Sequence, residues 1–373
     1  MKSYDLLIVG AGWAGAVAAE QLAAAGRSVL LVEKRPQLGG NCFDRPDENG
    51  VYVHEYGPHI FHTNDRAVWE YLAAFTEWLP YQHRVLADHD GQRLTLPVNL
   101  NTLRELFPGS KADSLEQRLV ERFGPGKRLP VQELRRSEDI DFRALGEEIY
   151  QKIYYQYSLK QWGMEPAKLD RLVLGRVPIR LDRDDRYFQD VYQGMPKNGY
   201  TAIFRKLLDR PNIEVVLGQD FRRVAGKVKY GTMIYTGPLD EYFDLKFGPL
   251  PYRSLRFDFS VEKTAQFQPA AVVNYTGREP FTRITEFKHF QPAAVRTTTI
   301  LREYPAVYRP GQNVPCYPVP LEENHRLFAR YKAAAAEVDN VIFLGRLAEY
   351  CYYDMDKVIA KALTAAAGLA GRK

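Results

Sequence analysis

Residues Val9–Gly15 read VGAGWAG, and the fold turns on what surrounds them. The apolar run Leu6, Leu7, Ile8 comes first, an alanine-rich stretch from Ala14 to Ala25 follows and closes at Gly26, and a second apolar run, SVLLVE, ends on Glu33. Gly10, Gly12 and Gly15 therefore stand in G-x-G-x-x-G spacing between a strand and a helix, with an acidic residue closing the second strand. In such a βαβ unit the glycines let the backbone approach a pyrophosphate at the helix N-terminus, and the acidic side chain accepts ribose hydroxyls. The expectation is a Rossmann-like dinucleotide domain.

KRPQLGGN follows Glu33 and places Gly39 and Gly40 just beyond it. This resembles the extended N-terminal fingerprint of the large FAD-binding superfamily, which implies FAD, whereas a nicotinamide domain more often proceeds directly to its next βα unit.

The rest of the composition narrows the class. A chain of 373 residues can bury a substantial core in two or three lobes. The net charge of +5 is dispersed, which argues against a nucleic-acid groove and suits an anionic small substrate. Three cysteines, Cys42, Cys316 and Cys351, form neither a CxxC nor an even disulfide framework, as expected in a reducing cytoplasm. The first strand begins almost at Met1, leaving no signal peptide to expect, and no apolar run approaches the roughly 20 residues of a membrane helix. His59 and His62 lack a third ligand pattern, so no metal is expected. Cys351 reads as a packed thiol.

Along the chain, QRLTLPVNL alternates as a strand, SLEQRLVERFG and IDFRALGEEIYQKIYYQYSLKQW are helical, and GRVPIRLDRDDRYFQD reads as an exposed polar loop. AAVVNY and TTTIL are strand-like, and VIFLGRLAEYCYYDMDKVIAKALTAA reads strand, loop, helix, so the nucleotide domain is closed by its C-terminal segment.

A second glycine fingerprint for a nicotinamide nucleotide is missing, as is a redox dithiol. An oxidase, a desaturase, or a flavin whose task is not net oxidation remain. The chain has twenty-four tyrosines, with clusters in IYYQYSLKQW and EYCYYDMD. They read equally well as half-buried aromatics with wet hydroxyls or as a sugar-nucleotide cleft in which arginines, Arg176, Arg180 and Arg283 among them, grip phosphate by their planar fork.

Seven blocks carry a closer likeness: GGN, YGPHIFHTND, YSLKQWG, GRVPIR, YTGPLDEYFD, TRITEFKHF and GRLAEYCYYDMD. In this order they resemble the bacterial UDP-galactopyranose mutases over nearly the whole chain. The resemblance implies an α/β protein: a discontinuous Rossmann-like FAD-binding domain (1–82, 194–248, 335–373), a helical domain (103–193) with a mobile substrate loop at about 164–190, and a twisted antiparallel sheet domain (83–102, 249–334). It implies an isomerase interconverting UDP-galactopyranose and UDP-galactofuranose without net redox, active with reduced FAD, through a covalent adduct of flavin N5 and the sugar's anomeric carbon. A reductant such as NAD(P)H or reduced flavin, a cytoplasmic homodimer, no nucleic acid, no membrane span and a product destined for cell-surface glycans complete the expectation. An FAD-dependent amine oxidase or desaturase, sharing the fingerprint, and an inactive UDP-sugar-binding protein are the alternatives.

Carried over by position, the cofactor residues are Gly10, Gly12, Ala14, Gly15, Glu33, Lys34, Gly40, Asn41, His59, Ile60, Phe221, Arg346, Asp354 and Met355. The substrate residues are Tyr157, Ser158 and Trp162 on the uridine side, Tyr187, Tyr317 and Tyr352 at the diphosphate, and His83 and Asn274 near the galactose. Arg176, on the loop, Arg283, held on a strand, and His59 are the catalytic candidates. Arg180 reads as a solvated loop charge. Ile153, Ser158 and Pro58 depart from the family pattern.

Overall fold

Leu6, Leu7, Ile8 and Val9 are buried, as are all of Val29 to Glu33. Continuous apolar runs of this kind suit a parallel sheet covered on both faces. In the computed structural model, which describes residues 1–107, 109–168 and 178–371, they form its centre. Five parallel strands lie in the order Ile213–Leu217, Val29–Glu33, Ser3–Val9, Lys229–Tyr235, Val341–Phe343. The order reverses beside Ser3–Val9, and ligands of doubly wound sheets bind at the carboxyl ends of strands at such a reversal. There Thr236, just past Tyr235, donates its N–H (3.0 Å) and its hydroxyl (2.7 Å) to the carbonyl of Val9.

The chain divides into two compact units. The first contains this sheet and comprises residues 1–81, 190–252 and 322–373. Helices Trp13–Ala24 and Met355–Ala370 pack together in it, so the two ends of the chain close one layer. Helix Glu322–Ala336 also belongs here, because the fully buried Tyr331 donates its hydroxyl to Gly248 O (2.7 Å) and accepts from Phe247 N (3.0 Å). The chain thus returns to the first unit at Glu322.

The second unit, residues 82–189 and 253–321, holds a seven-stranded sheet and the helical segment together. Its order is Tyr317–Pro318, Tyr252–Glu262, Thr298–Val307, Arg283–Glu286, Val272–Tyr275, Val85–His89, Gln92–Leu96. Tyr252–Glu262 with Thr298–Val307, both partners of Arg283–Glu286, and the last two strands pair antiparallel. Val272–Tyr275 runs parallel to Val85–His89. Parallel neighbours require a long crossover, and the helical segment intervenes between them in sequence. Its last part is a π-helix, Tyr150–Tyr155, that runs straight into the α-helix Gln156–Trp162.

The polar stretch expected as an exposed loop is only partly so. Ile179, Arg180 and Leu181 are buried, and Ile179–Arg180 pairs with Arg128–Leu129. Arg180 is 4% exposed, corrected from a solvated charge to a buried one. Asp182 at 2.7 Å and Asp184 at 3.6 Å supply the counter-charge that burial of a guanidinium demands. Among the described residues no helix is long and apolar enough to cross a membrane.

Tyr331→Phe keeps the ring and removes only the hydroxyl, leaving Gly248 O and Phe247 N to find other partners. Denaturant unfolding should show a loss of about 1–2 kcal/mol, and a change below about 0.5 kcal/mol would mean that water replaces the bonds.

Candidate active site

The glycine loop is built by close approach. Gly10 has φ +104°, and a Cβ there would stand 2.1 Å from Thr236 Oγ1. A Cβ on Gly15 would lie 1.9 Å from the Gly10 carbonyl oxygen, a backbone atom that cannot yield. Gly12 precedes helix Trp13–Ala24 with no side-chain cap. Gly40, at φ +56°, is held so near that its Cβ would be 3.2 Å from the Cα of Gly12. On the other side a Cβ on Gly345 would be 3.0 Å from that of Ala14. Three chain segments thus converge on one helix N-terminus with little but backbone between them, the arrangement that admits a pyrophosphate.

Glu33 ends its strand with a buried carboxylate, one oxygen accepting from Ala11 N (2.8 Å) and the other from Arg35 N (2.9 Å). It shapes the loop while each oxygen keeps a second lone pair for a ligand hydroxyl. Asn41 accepts from Arg35 Nη2 (3.0 Å). Lys34 is exposed and pairs with Glu241 at 3.4 Å. Phe221 packs against Tyr235, ring centroids 5.4 Å apart, on the core beneath the sheet.

The start of the last helix joins this group. Met355 Sδ lies 3.6 Å from Sγ of Cys42, whose thiol also accepts from Trp13 Nε1 (3.1 Å). Burial pushes the Cys42 thiol up to about 12, so it stays protonated. Asp354, at the N-cap of Met355–Ala370, makes no capping hydrogen bond, and the dipole of that 16-residue helix favours negative charge at its start. Arg346 lies 5.0 Å from the ring of the exposed Tyr352.

His59 and Ile60 lead into strand Phe61–Thr63. Nδ1 of His59 faces the carbonyl of Gly57 at 2.8 Å. A carbonyl only accepts, so Nδ1 carries the proton and Nε2 is an acceptor. The His59 N–H in turn donates to Nδ1 of His54 (3.0 Å), which must then be protonated on Nε2. Burial drives His54 down to about 3; burial together with the neighbouring His54 drives His59 to about 3. His62 instead pairs with Asp190 at 2.9 Å, and among the described residues no group of His, Cys, Asp and Glu suits a metal.

The second unit assembles the other predicted residues. Asn274, Arg283 and Glu303 are direct neighbours across three adjacent strands. Arg283 Nη2 donates to the Tyr157 hydroxyl (3.2 Å), and Nε faces Glu303 Oε2 at 3.4 Å. Burial works against the guanidinium's charge, but Glu303 and the phenols of Tyr157, Tyr317 and Tyr187 outweigh it, holding the Arg283 pKa well above its ordinary value. Glu303, 1% exposed, is pushed up by burial and pulled back by Arg283. Three buried atoms of this row have no hydrogen-bond partner: Asn274 Oδ1, Arg283 Nε and Glu303 Oε1. Buried polar atoms are nearly always satisfied; Nε still faces Glu303 as an ion pair, while Asn274 Oδ1 and Glu303 Oε1 each have an open acceptor position.

His83 is buried, its ring 5.7 Å from Tyr187 and its carbonyl accepting from Tyr187 N (2.7 Å). Trp162 lies 6.4 Å from Tyr317, and Ser158 and Ile153 are buried. Tyr352 belongs to the first unit, and Tyr187 and Tyr317 to the second. Arg176 and the middle of the expected substrate loop, 169–177, lie outside the described residues. Glu303 was missed: its strand alternates like any other, and only the register puts its carboxylate beside Arg283.

A glycine-built dinucleotide cradle and a sheet-borne arginine among tyrosines define a nucleotide-binding enzyme of the Rossmann class. Residues 8–75 match the family of NAD(P)-binding Rossmann-like domains, and residues 152–352 match UDP-galactopyranose mutase. The chain is 37% identical over 371 residues to a probable UDP-galactopyranose mutase of Klebsiella pneumoniae, covering 98% of this chain and 94% of that one. It is 35% identical over 368 residues to a dTDP-fucopyranose mutase of Escherichia coli, covering 97% of each. Its fold matches the crystal structure of a reduced UDP-galactopyranose mutase with a TM-score of 0.74 at 17% identity, over 99% of this chain and 96% of that one. The chain belongs to the UDP-galactopyranose mutase family, a family of isomerases.

The two neutral histidines make stability depend on acid. Their folded pKa values lie below the ordinary 6.5, so the unfolded chain binds more protons below that pH. Stability should be full above about 6.5 and fall as pH drops towards 3. His59 is shielded less completely than His54 and contributes less. His54→Gln, whose amide oxygen can still accept from His59 N, should flatten this decline in urea titrations at stepped pH. An unchanged slope would place the effect elsewhere.

Proposed function

We propose that this protein interconverts UDP-galactopyranose and UDP-galactofuranose with FAD in its reduced form and without net redox. The observation that carries the reading is the row Asn274–Arg283–Glu303 with its unsatisfied buried atoms, ringed by Tyr157, Tyr187 and Tyr317. Family membership and the names of the relatives support the same substrate.

The cradle suits FAD: the close approaches at Gly10, Gly15 and Gly40 bring backbone to the uncapped start of helix Trp13–Ala24, where a pyrophosphate would lie, and Glu33 keeps lone pairs for ribose hydroxyls. Lys34, Asn41, His59, Ile60, Phe221, Arg346, Asp354 and Met355 would complete its surroundings. Reduced FAD would supply a nucleophile, N5, for the anomeric carbon. The residues of this chain do the rest. Exchange of ring oxygens requires the diphosphate to leave and return, and Arg283 meets the charge that develops on it. Glu303 holds the Nε side of the guanidinium, so the terminal Nη edge faces outward beside Tyr157 without reorganising as charge develops. Arg176 would add a second cation, and the phenols of Tyr187, Tyr317 and Tyr352 would donate to phosphate oxygens. Tyr157, Ser158 and Trp162 would seat the base, and His83 and Asn274 the sugar. His59 enters as a neutral acceptor, a hydrogen-bonding group rather than a source of charge. On this reading the enzyme works in the cytoplasm as a homodimer, kept reduced by NAD(P)H or reduced flavin, and its product supplies cell-surface glycans.

The Escherichia coli relative favours a second substrate, dTDP-fucopyranose, at comparable identity. Dithionite-reduced protein given UDP-galactofuranose should yield UDP-galactopyranose, with many product molecules per electron pair. Turnover of the dTDP-fucose pair alone would shift the assignment to the second substrate. Oxygen uptake matching product one for one would favour an oxidase.

Arg283→Ala should lower kcat at least about 10- to 150-fold, the worth of a hydrogen bond to a charged group, with FAD content unchanged. It also strands the Glu303 carboxylate, which should cost several kcal/mol of stability. Arg283→Ala/Glu303→Gln should recover the stability and not the rate, and Arg283→Lys should rescue poorly because an ammonium lacks the fork. Near-normal kcat in the double variant would remove Arg283 from the site.

A further inference from the structure

Lys160 has no part in the foregoing account, yet its ammonium is unusually enclosed. It sits on helix Gln156–Trp162, which also carries Tyr157, Ser158 and Trp162. Its Nζ donates to four backbone carbonyls, those of Tyr275 (2.7 Å), Gly277 (3.2 Å), Glu279 (3.0 Å) and Phe281 (3.1 Å). All four belong to the turn joining strands Val272–Tyr275 and Arg283–Glu286. Alternate carbonyls of one turn thus aim at a single point, and without a cation there their dipoles would oppose one another. An ammonium offers three donors, so one is shared between two carbonyls.

The ends of that turn are Asn274 and Arg283, which face each other across the strand pair. The helix has a second mooring: Arg253 donates Nε to Gln161 O (2.8 Å) and Nη2 to Lys160 O (3.4 Å). Gly163, at φ +70°, ends the helix over that guanidinium, and a Cβ there would lie 3.1 Å from Arg253 Nη1. Tyr157, one helical turn before Lys160, takes the hydrogen bond from Arg283. A closed circuit results: Lys160 to the turn, the turn to Arg283, Arg283 to Tyr157, and Tyr157 back along the helix to Lys160.

We propose that Lys160 is a positioning residue whose ammonium, caged by the four carbonyls, locks helix Gln156–Trp162 to the 275–281 turn so that Arg283 and Tyr157 are presented together to the diphosphate of a nucleotide sugar. The nature of the ligand rests on the function proposed above; the clamp itself is read from the four carbonyls.

The clamp depends on charge, because a neutral amine has two donors and a lone pair that would face a carbonyl. Burial lowers the Lys160 pKa to about 8, against the pull of the Glu279 and Asp90 carboxylates. The other ionisable groups on the elements around it are Tyr275 and Arg278 on the turn, Tyr157 on its own helix, Arg253 beside that helix, and Asp88 and His89 next to Asp90. The ammonium is therefore present at neutral pH and is lost as pH rises through about 8.

UDP is the probe, its binding measured by calorimetry on the cofactor-loaded protein. Lys160→Met should keep native cofactor content and bind UDP on the order of 10- to 100-fold more weakly at neutral pH. The native protein's own affinity should decline as pH is raised from neutral through about 8. Lys160→Arg, which stays charged, should recover part of the affinity and lose that alkaline decline. A folded Lys160→Met variant that binds UDP within about twofold of native overturns the proposal. Should that variant fail to fold, a flat alkaline profile of the native protein overturns it instead. A native protein that binds no UDP at any pH would sink the functional reading and the ligand named here with it, whereas failure in the variants alone leaves that reading intact.

Discussion

A carbonyl oxygen that has room for a hydrogen atom and not for a methyl group governs the first unit. The Gly10 carbonyl lies under the first turn of helix Trp13–Ala24, where a Cβ on Gly15 would stand 1.9 Å away. That approach fixes how the helix leaves strand Ser3–Val9, and so where its uncapped N-terminus points. Gly40 and Gly345 then close on the same end from two other stretches of chain. Glu33 ties the arrangement from below through the amides of Ala11 and Arg35. Backbone approach dominates this construction, with the Thr236 hydroxyl and the Ala14 methyl as its nearest side-chain neighbours, which is why a handful of glycines and one carboxylate define it.

The second unit solves a different problem, that of keeping a half-buried cation aimed. Arg283 owes its place to strand register, since Asn274 and Glu303 fall opposite it on the two flanking strands. Glu303 makes the burial tolerable and orients the guanidinium, and the phenols around it add to the hold. A buried pair of this kind is weak evidence for stability and better evidence for specified geometry. The orphaned atoms beside it agree: a row built only for stability would have its bonding complete.

The glycine loop and the end of the second strand were legible, because the constraints at Gly10, Gly15 and Glu33 are local or span a single βαβ unit, whereas the approaches of Thr236 and Gly345 were not. The start of the last helix at Met355 came instead from the resemblance, through the block GRLAEYCYYDMD. Other readings failed where local polarity was taken for exposure. Arg180 sits in a run of charges, yet Asp182 and Asp184, two and four residues on, neutralise it and allow it inside. The parallel pair in a mostly antiparallel sheet was equally invisible, since no residue type distinguishes the two pairings.

From the sequence alone came the class of fold, the dinucleotide site and, by resemblance, the family, because spacing constraints and long peculiar blocks survive without coordinates. The tertiary structure decided what those residues can do together. It set Glu303 against Arg283, gathered Tyr157, Tyr187 and Tyr317 about the same guanidinium, and turned four carbonyls onto Lys160. The partners of these contacts lie as far as 126 residues apart in the chain. Pairings over such distances follow from strand register and helix placement, which a linear pattern does not encode.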